Sequence, residues 1–228
     1  MIPFGAVQIA GVHDLDEALA LAKAGIGFIG FPLGLRDGRE DLGEAEAAAV
    51  VAALPRTVRA VLITYHDRAE RICELAVRIG TPWVQLHHPV STDELAAVRR
   101  RAPHLKLIRA LVVRNGNTAE LVDDIGATAD LVDAYITDTF DPDTGRTGAT
   151  GKPHDWRVSA RLAQASPRPL ILAGGLDPDN VREAIRTVRP DAVDAHTGVE
   201  GPDGRKDPAR VRRFLAEARR AFGEIEHR

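Results

Sequence analysis

The sequence has a single cysteine among its 228 residues, Cys73. One thiol cannot form an intramolecular disulfide, and Cys73 lies in the helical pattern RICELAVRIG rather than beside a metal-ligand spacing. We therefore expect Cys73 to be a structural residue. The shortage of cysteine excludes a disulfide scaffold and a cysteine-based metal site.

Long apolar runs and a charge excess are also absent. No stretch approaches the ~18 apolar residues of a membrane-spanning helix, and the first residues lack the basic and apolar regions of a signal peptide. The formal net charge of −3 gives no overall attraction to nucleic acid or to anionic membranes, although a local basic pocket could still hold a phosphate. We expect a cytoplasmic protein that binds neither nucleic acid nor membrane.

Short apolar runs alternate with segments of helical period along the whole chain. This alternation predicts an α/β protein with a parallel sheet, and eight strands favour a closed (β/α)8 TIM barrel in one domain, residues 1–228. A Rossmann-type sheet is the alternative, weakened because no G-x-G-x-x-G follows the first strand. The predicted strands are 6–10, 26–30, 58–64, 83–87, 105–111, 130–137, 169–174 and 191–195, and helical segments include 14–25, 43–54, 67–80, 91–102, 177–188 and 207–222.

Two glycine turns follow the last two predicted strands, in LAGGLDPDNV (172–181) and DAHTGVE (194–200). Main-chain amides at such turns approach an anion closely, and the loops after strands seven and eight are where this barrel usually holds a phosphate. The sequence therefore predicts a barrel of the phosphate-binding type. The polar stretch 139–156 is too long for an ordinary connection and is predicted to be a functional loop.

Four segments resemble the phosphoribosylanthranilate isomerase family of the tryptophan pathway. They are LAGGLDPDNVREAI with VDAHTGVEGPDGRKD, VQIAGV, VQLHH and GATGKPHDW, which follow the family's order over nearly the whole chain. The resemblance implies a ribulose-phosphate-binding barrel that isomerises an aminoaldose to an aminoketose in tryptophan biosynthesis. It implies a small phosphorylated sugar as substrate, no cofactor and no metal, and we expect a monomer or a homodimer.

The resemblance also implies roles for individual residues. Asp138, at the end of the sixth strand in YITDTF, corresponds to the family's general acid. A partly desolvated carboxyl there can hold a proton for the ring oxygen of the sugar. Arg36 is a loose match to the arginine that faces the anthranilate carboxylate, and Arg39 is an equal candidate in the same loop. The remaining substrate contacts are predicted at His87, Gly148, Gly151, Gly174, Gly175, Asp194, Thr197 and Gly198.

The first strand departs from the family pattern Lys-Ile-Cys-Gly-Ile-Thr. Gln8 stands in place of the lysine, Ala10 in place of the cysteine that acts as general base, and His13 in place of the threonine. His196 stands in place of a serine after strand eight. Because loss of one proton-transfer group typically lowers the rate by ~10²–10⁴, we expect His13 or His196 to replace the thiol.

Two other functions remain open at this point. One is a metal-dependent phosphosugar epimerase or lyase on the same barrel, because imidazoles and a carboxylate at strand ends suit zinc, manganese or iron. The other is a protein that binds a phosphosugar without catalysis. The candidate ligands for a metal are His13, His66, His87, His88, His196 and Asp138.

Overall fold

Eight parallel strands form a closed barrel in this computed structural model, which describes residues 1–34, 41–141, 146–147 and 154–226. The barrel closes through pairing of β5 with β6, and the remaining neighbours follow the order β5-β4-β3-β2-β1-β9-β8-β6. A two-residue strand, β7, pairs antiparallel with the end of β6. The strands are β1 (Ala6–Ala10), β2 (Phe28–Leu33), β3 (Arg59–Thr64), β4 (Trp83–Leu86), β5 (Lys106–Val113), β6 (Ala134–Asp141), β7 (Arg146–Thr147), β8 (Leu170–Leu172) and β9 (Ala192–Ala195).

Helices surround the barrel, and the first of them is capped at both ends. Asp14 caps α1 by accepting a hydrogen bond from the Glu17 N–H (2.9 Å), and Gly25 ends this helix in the left-handed region. Among the described residues, no helix is long and apolar enough to cross a membrane. The helices are α1 (Leu15–Ala24), α2 (Glu44–Ala53), α3 (Ala69–Ile79), α4 (Thr92–Arg101), α5 (Thr118–Thr128), α6 (Trp156–Ala165), α7 (Val181–Val188) and α8 (Pro208–Glu226).

Alternation along the strands separates two apolar cores. On β1, Val7 and Ile9 point outward into the large core between strands and helices, whereas Ala10 points into the barrel. Successive side chains of a strand alternate between the two faces, so every second residue points into the barrel up to the carboxyl end of the strand. The active sites of such barrels lie at that end. The interior is filled by Ile2, Ala10, Phe28, Val61, Ile63, Trp83, Ile108, Ala134, Ile136, Ile171, Ala173 and Ala192.

The predicted barrel is confirmed, and most predicted elements differ from the structure at one or both ends by one to four residues; the helix predicted at 177–188, for example, begins at Val181. The second strand begins at Phe28 and runs to Leu33 rather than covering 26–30, and the sixth begins at Ala134 rather than 130. The segment 139–156 is not wholly a loop, because it contains the end of β6, β7 and the first residue of α6. Apolar residues that precede a strand resemble the strand itself, which explains the early starts.

Candidate active site

Inward-facing polar residues gather at the carboxyl end of the barrel. The inward series on β9 runs from Ala192 through Asp194 to His196, and the series on β6 runs from Ala134 to Asp138. The register pairs Ile9 with Ala195, so His196 follows directly beside Ala10. The residues predicted from three separate strands therefore meet at one mouth.

His87 and Asp138 form a close pair on one side of this mouth. His87 Nε2 lies 2.9 Å from Asp138 Oδ2, and both side chains are about nine-tenths buried. The Thr139 main-chain N–H donates a 2.8 Å hydrogen bond to the other carboxylate oxygen, Oδ1. The Tyr65 ring packs against the imidazole with 4.9 Å between centroids. At this distance the carboxylate and the imidazole form an ion pair when the imidazole is protonated.

On the opposite side, His13, Asp41 and His196 surround Gly11. A Cβ placed on Gly11 would collide with His196 Nε2 and would lie 2.9 Å from Asp41 Oδ2, and the Gly11 φ of +73° also favours glycine. His13 Nε2 lies 3.6 Å from Asp41 Oδ1. Both predicted replacement histidines thus lie beside the strand end that carries Ala10. Asp41 joins them and was not identified from the sequence.

The Glu17 carboxylate contacts both the main chain and the ring of His13. Its Oε2 accepts hydrogen bonds from the His13 main-chain N–H (2.7 Å) and lies 3.2 Å from the ring Nδ1, while its Oε1 accepts from the Lys206 N–H (2.6 Å). The carboxylate is only 5% exposed. Glu17 was not identified from the sequence, because His13 precedes the N-cap Asp14 of α1 and the four-residue spacing of a helix does not extend to it.

Burial and neighbouring charges shift the pKa of His196 at the mouth. Burial, reinforced by the charges of Lys206, His13 and His87, lowers the pKa of His196 to about 3, so this ring is neutral at physiological pH. Lys206 is itself buried and donates to Glu200 Oε1 (2.6 Å). Burial raises the pKa of Asp41, with His13 and Lys206 opposing that rise.

His154 was assigned no role from the sequence, yet it lies beside the site. Its Nδ1 is 3.0 Å from Thr139 Oγ1 and its Nε2 is 2.5 Å from Ser159 Oγ. Burial lowers the pKa of His154 to about 4, with Asp138 acting in the opposite direction. This neutral ring supports the residue that follows Asp138. A lone histidine in a loop offered no sequence signal for that role.

Beneath the mouth lies a polar layer formed by Gln8, Gln85 and Asp194. All three are buried, and the Gln8 Nε2–H donates to Gln85 Oε1 over 2.9 Å. The register places Gln8 directly opposite Asp194. Burial, reinforced by the charge of Asp138, raises the pKa of Asp194 to about 7, while a hydrogen bond with Gln8 and the charges of His87 and Lys206 oppose the rise.

The two glycine turns predicted to hold a phosphate pack against each other. A Cβ on Gly198 would collide with the carbonyl of Leu176, which follows Gly175 in the first turn. Gly174 and Gly175 have φ values of +100° and +65°, which residues with a side chain rarely adopt. Asn180 fixes this turn by donating from Nδ2 to the Gly175 carbonyl over 2.8 Å. Thr197 begins the short 3₁₀ turn Thr197–Val199 in the second loop.

Some predicted residues lie elsewhere. Arg36, Arg39, Gly148 and Gly151 lie outside the described residues. His88 Nδ1 lies 3.1 Å from the Pro89 carbonyl, in a side chain turned to its own loop. Within the described part of the chain, no three histidine, cysteine, aspartate or glutamate side chains are arranged to hold a metal ion.

A closed (β/α)8 barrel with carboxyl and imidazole groups at its carboxyl mouth has the architecture of a TIM-barrel enzyme. The chain belongs to the N-(5'-phosphoribosyl)anthranilate isomerase family, whose model matches residues 36–217. It is therefore an enzyme of the aldose–ketose isomerase type, as the motifs indicated. Neither the metal-dependent alternative nor the non-catalytic alternative is favoured by the family match.

Relatives and solved structures agree over nearly the full chain. The N-(5'-phosphoribosyl)anthranilate isomerase 2 of Methanosarcina mazei is 32% identical, covering 97% of each chain. Monomers of the dimeric Thermotoga maritima isomerase superpose with a TM-score of 0.75 at 27% identity, covering 93% of this chain and 97% of that one. A phosphoribosyl anthranilate isomerase bound to reduced 1-(o-carboxyphenylamino)-1-deoxyribulose 5-phosphate gives 0.74 at 27% identity, with 93% and 97% covered.

Proposed function

We propose that this protein isomerises an N-substituted phosphoribosylamine, opening the sugar ring and moving the carbonyl function from C1 to C2. The observation that carries the proposal is the pairing of His87 with Asp138 on one side of the mouth, facing His13, Asp41 and His196 around Gly11 on the other. A substrate between them would meet an acid and a base at the same time, which is what the rearrangement requires.

Asp138 is the proposed general acid. It would protonate the ring oxygen, which breaks the C1–O bond and leaves an iminium ion at C1. The His87 contact at Oδ2 supplies a partner that can return a proton to the carboxyl. We expect Asp138→Asn to lower kcat by ~10²–10⁴ with little change in KM, since the amide keeps the shape of the carboxyl and has no proton to transfer.

An imidazole is the proposed base that removes the C2 proton in place of the missing thiol. His13 is favoured over His196 because the Glu17 carboxylate beside Nδ1 would stabilise the imidazolium formed on proton uptake. The low pKa of His196 makes that ring a weaker base. His196 would then serve as a neutral hydrogen-bonding group over Gly11.

The substrate phosphate is proposed to bind at Gly174, Gly175, Thr197 and Gly198, with Gly148 and Gly151 contributing from the neighbouring loop. Support comes from the contact between the two glycine turns and from the phosphorylated analogue bound to a solved relative. Asp194 and Arg36 are proposed to contact the substrate as well. The expected monomer or homodimer and the cytoplasmic location stay predictions.

The test is turnover of phosphoribosylanthranilate, followed by the loss of its fluorescence. We expect slow turnover by the wild-type protein and a gain of at least ~10²-fold in kcat/KM for Ala10→Cys, which restores a thiol base. Ala10→Ser is the matched control, because it adds a group of similar size that does not accept a proton near neutral pH. Absence of turnover in all three proteins would contradict the anthranilate substrate.

A further inference from the structure

Asp194 is a buried carboxyl that contacts no cation. No salt bridge of the described residues includes it, and the nearest lysine, Lys206, is engaged with Glu200 and with the His196 carbonyl. His87, the other nearby base, is paired with Asp138. An ionised carboxylate without a cation is strongly disfavoured in such surroundings, and the usual response is that the group stays protonated.

Hydrogen bonding in the polar layer leads to the same protonation state. Asp194 Oδ1 and Gln8 Oε1 are both buried, and neither has a hydrogen-bond partner among the described residues. With Asp194 ionised, this layer would contain acceptors in excess of donors. A proton on Asp194 converts one acceptor into a donor, which reduces the deficit.

The residue at position 8 determines whether Asp194 is protonated or ionised. A residue at position 8 faces Asp194 across the β1–β9 register, so a lysine there would lie against the carboxyl and hold it ionised. Glutamine carries no charge, and its hydrogen bond with Asp194 opposes the rise of the carboxyl pKa without cancelling it, so the carboxyl stays neutral. The glutamine in the VQIAG segment therefore changes the charge of a residue on another strand.

We propose that Asp194 binds substrate as a neutral acid, donating a hydrogen bond to a sugar oxygen, and that Gln8 fixes this protonation state. The inference rests on the proposed function, because it takes the sugar phosphate as the ligand. Its proton stays on Asp194 throughout. A donor is stabilising where negative charge develops on an oxygen during enolisation, and the 9% of Asp194 that remains exposed allows contact with the mouth.

The groups around Asp194 account for its titration near neutral pH. Burial and the Asp138 charge favour the neutral form, and the pKa of Asp194 is raised to about 7. The groups that face Asp194 from the neighbouring elements are Gln8 on β1, His87 at the end of β4, Asp138 on β6 and Lys206 after β9.

Infrared spectroscopy tests the protonation state without any need for activity. We expect the wild-type protein at pH 6 to show the carbonyl stretch of a protonated buried carboxyl, absent from Asp194→Asn and lost from the wild type as pH rises through about 7. Gln8→Lys should abolish the band and Gln8→Met, which is equally long but uncharged, should retain it. Absence of the band from the wild type, or its persistence in folded Gln8→Lys, would overturn the inference.

Calorimetry tests the substrate contact, with reduced 1-(o-carboxyphenylamino)-1-deoxyribulose 5-phosphate as the probe. We expect its Kd for the wild type to rise by about tenfold more between pH 6 and 8.5 than its Kd for Asp194→Asn, whose amide donates at every pH. Equal pH dependence in the two proteins, with binding intact, overturns the inference alone. If no protein binds the probe at any pH, the proposed function and the substrate contact both fail.

Discussion

At the scale of single residues, the contact between Glu17 and His13 makes the most direct prediction. Glu17→Gln keeps an oxygen acceptor for only one of the two main-chain N–H groups, those of His13 and Lys206, and it removes the negative charge beside Nδ1. If His13 is the base, loss of that charge destabilises the imidazolium formed in the reaction. We expect kcat to fall by about 10- to 100-fold and KM to change by less than about twofold.

A matched control for this variant is Glu46→Gln. Glu46 also lies in the first turn of a helix and accepts a main-chain hydrogen bond, from Gly43 over 2.9 Å, but it is exposed on α2. This control should leave kcat unchanged. A nitrogen-correlated NMR spectrum should assign the proton of neutral His13 to Nδ1 in the wild type, and an Nε2–H tautomer there would contradict the role given to Glu17.

Sequence alone was sufficient for the residues that depart from a recognisable pattern, because Ala10, His13 and His196 occupy positions with an expected occupant. It was insufficient for Glu17, Asp41 and His154. These residues act through contacts made by folding, and nothing in the local sequence distinguishes them from capping residues or ordinary loop residues. Partners that lie on different strands or loops leave no spacing signal.

At the scale of elements, the end of α7 makes a test of backbone conformation. Arg189 follows this helix with a φ of +54°, and it is the one non-glycine residue with positive φ among those described. A side chain in this region costs about 1 kcal/mol, so we expect Arg189→Gly to raise the free energy of unfolding by roughly that amount. Urea denaturation measures the change.

Arg186→Gly provides the comparison for that experiment. It introduces the same residue inside α7, where glycine loses more conformational freedom than it relieves strain. We expect it to lower the free energy of unfolding by about 1 kcal/mol. Stabilisation by both variants, or by neither, would contradict the assignment of strain to position 189.

The two phosphate loops also make a prediction as elements. Gly198→Ala places a methyl group against the Leu176 carbonyl and should push the loops apart, raising the Kd for inorganic phosphate by about tenfold or more. Gly126→Ala is the matched control, because Gly126 lies in α5 with open space around its Cα. We expect that variant to leave phosphate binding unchanged and to stabilise the protein by about 0.5–1 kcal/mol.

At the scale of the whole molecule, stability depends on buried groups that resist ionisation. The pKa of Asp194 is raised from 3.8 to about 7, so between these values the folded state binds a proton that the unfolded state has lost. The free energy of unfolding therefore falls as pH rises through this range, by about 4 kcal/mol from this group. Asp194→Asn removes this pH-dependent loss of stability, because the amide does not ionise.

We expect Asp194→Asn to match the wild type near pH 4 and to become progressively more stable than the wild type toward pH 7. His154 and His196 act in the opposite direction, since their lowered pKa values cost stability as pH falls below about 6.5. Urea denaturation of both proteins across this range checks the difference. A constant difference at all pH values would show that Asp194 titrates alike in the folded and unfolded states.

The barrel was predictable because the same strand-then-helix pattern repeats along the sequence. Each strand and helix contributes a weak pattern, and eight repetitions of the same order exclude most other folds. Register and inward direction were not predictable, because a shift of one residue reverses which side chains enter the barrel. The polar layer depends on that register, since Gln8 and Asp194 are 186 positions apart in the chain and opposite each other in the sheet.

Because Gln8 faces Asp194, the effect of a substitution at Ala10 also depends on which residue occupies position 8. A thiol introduced at Ala10 would lie two residues along β1 from Gln8, the residue that faces the neutral acid Asp194, whereas after Gln8→Lys that facing pair would be an ion pair. The two substitutions should therefore show epistasis: their combined effect on kcat/KM should differ from the product of the separate effects. An evolutionary path between this protein and a cysteine-dependent isomerase would then depend on which substitution came first.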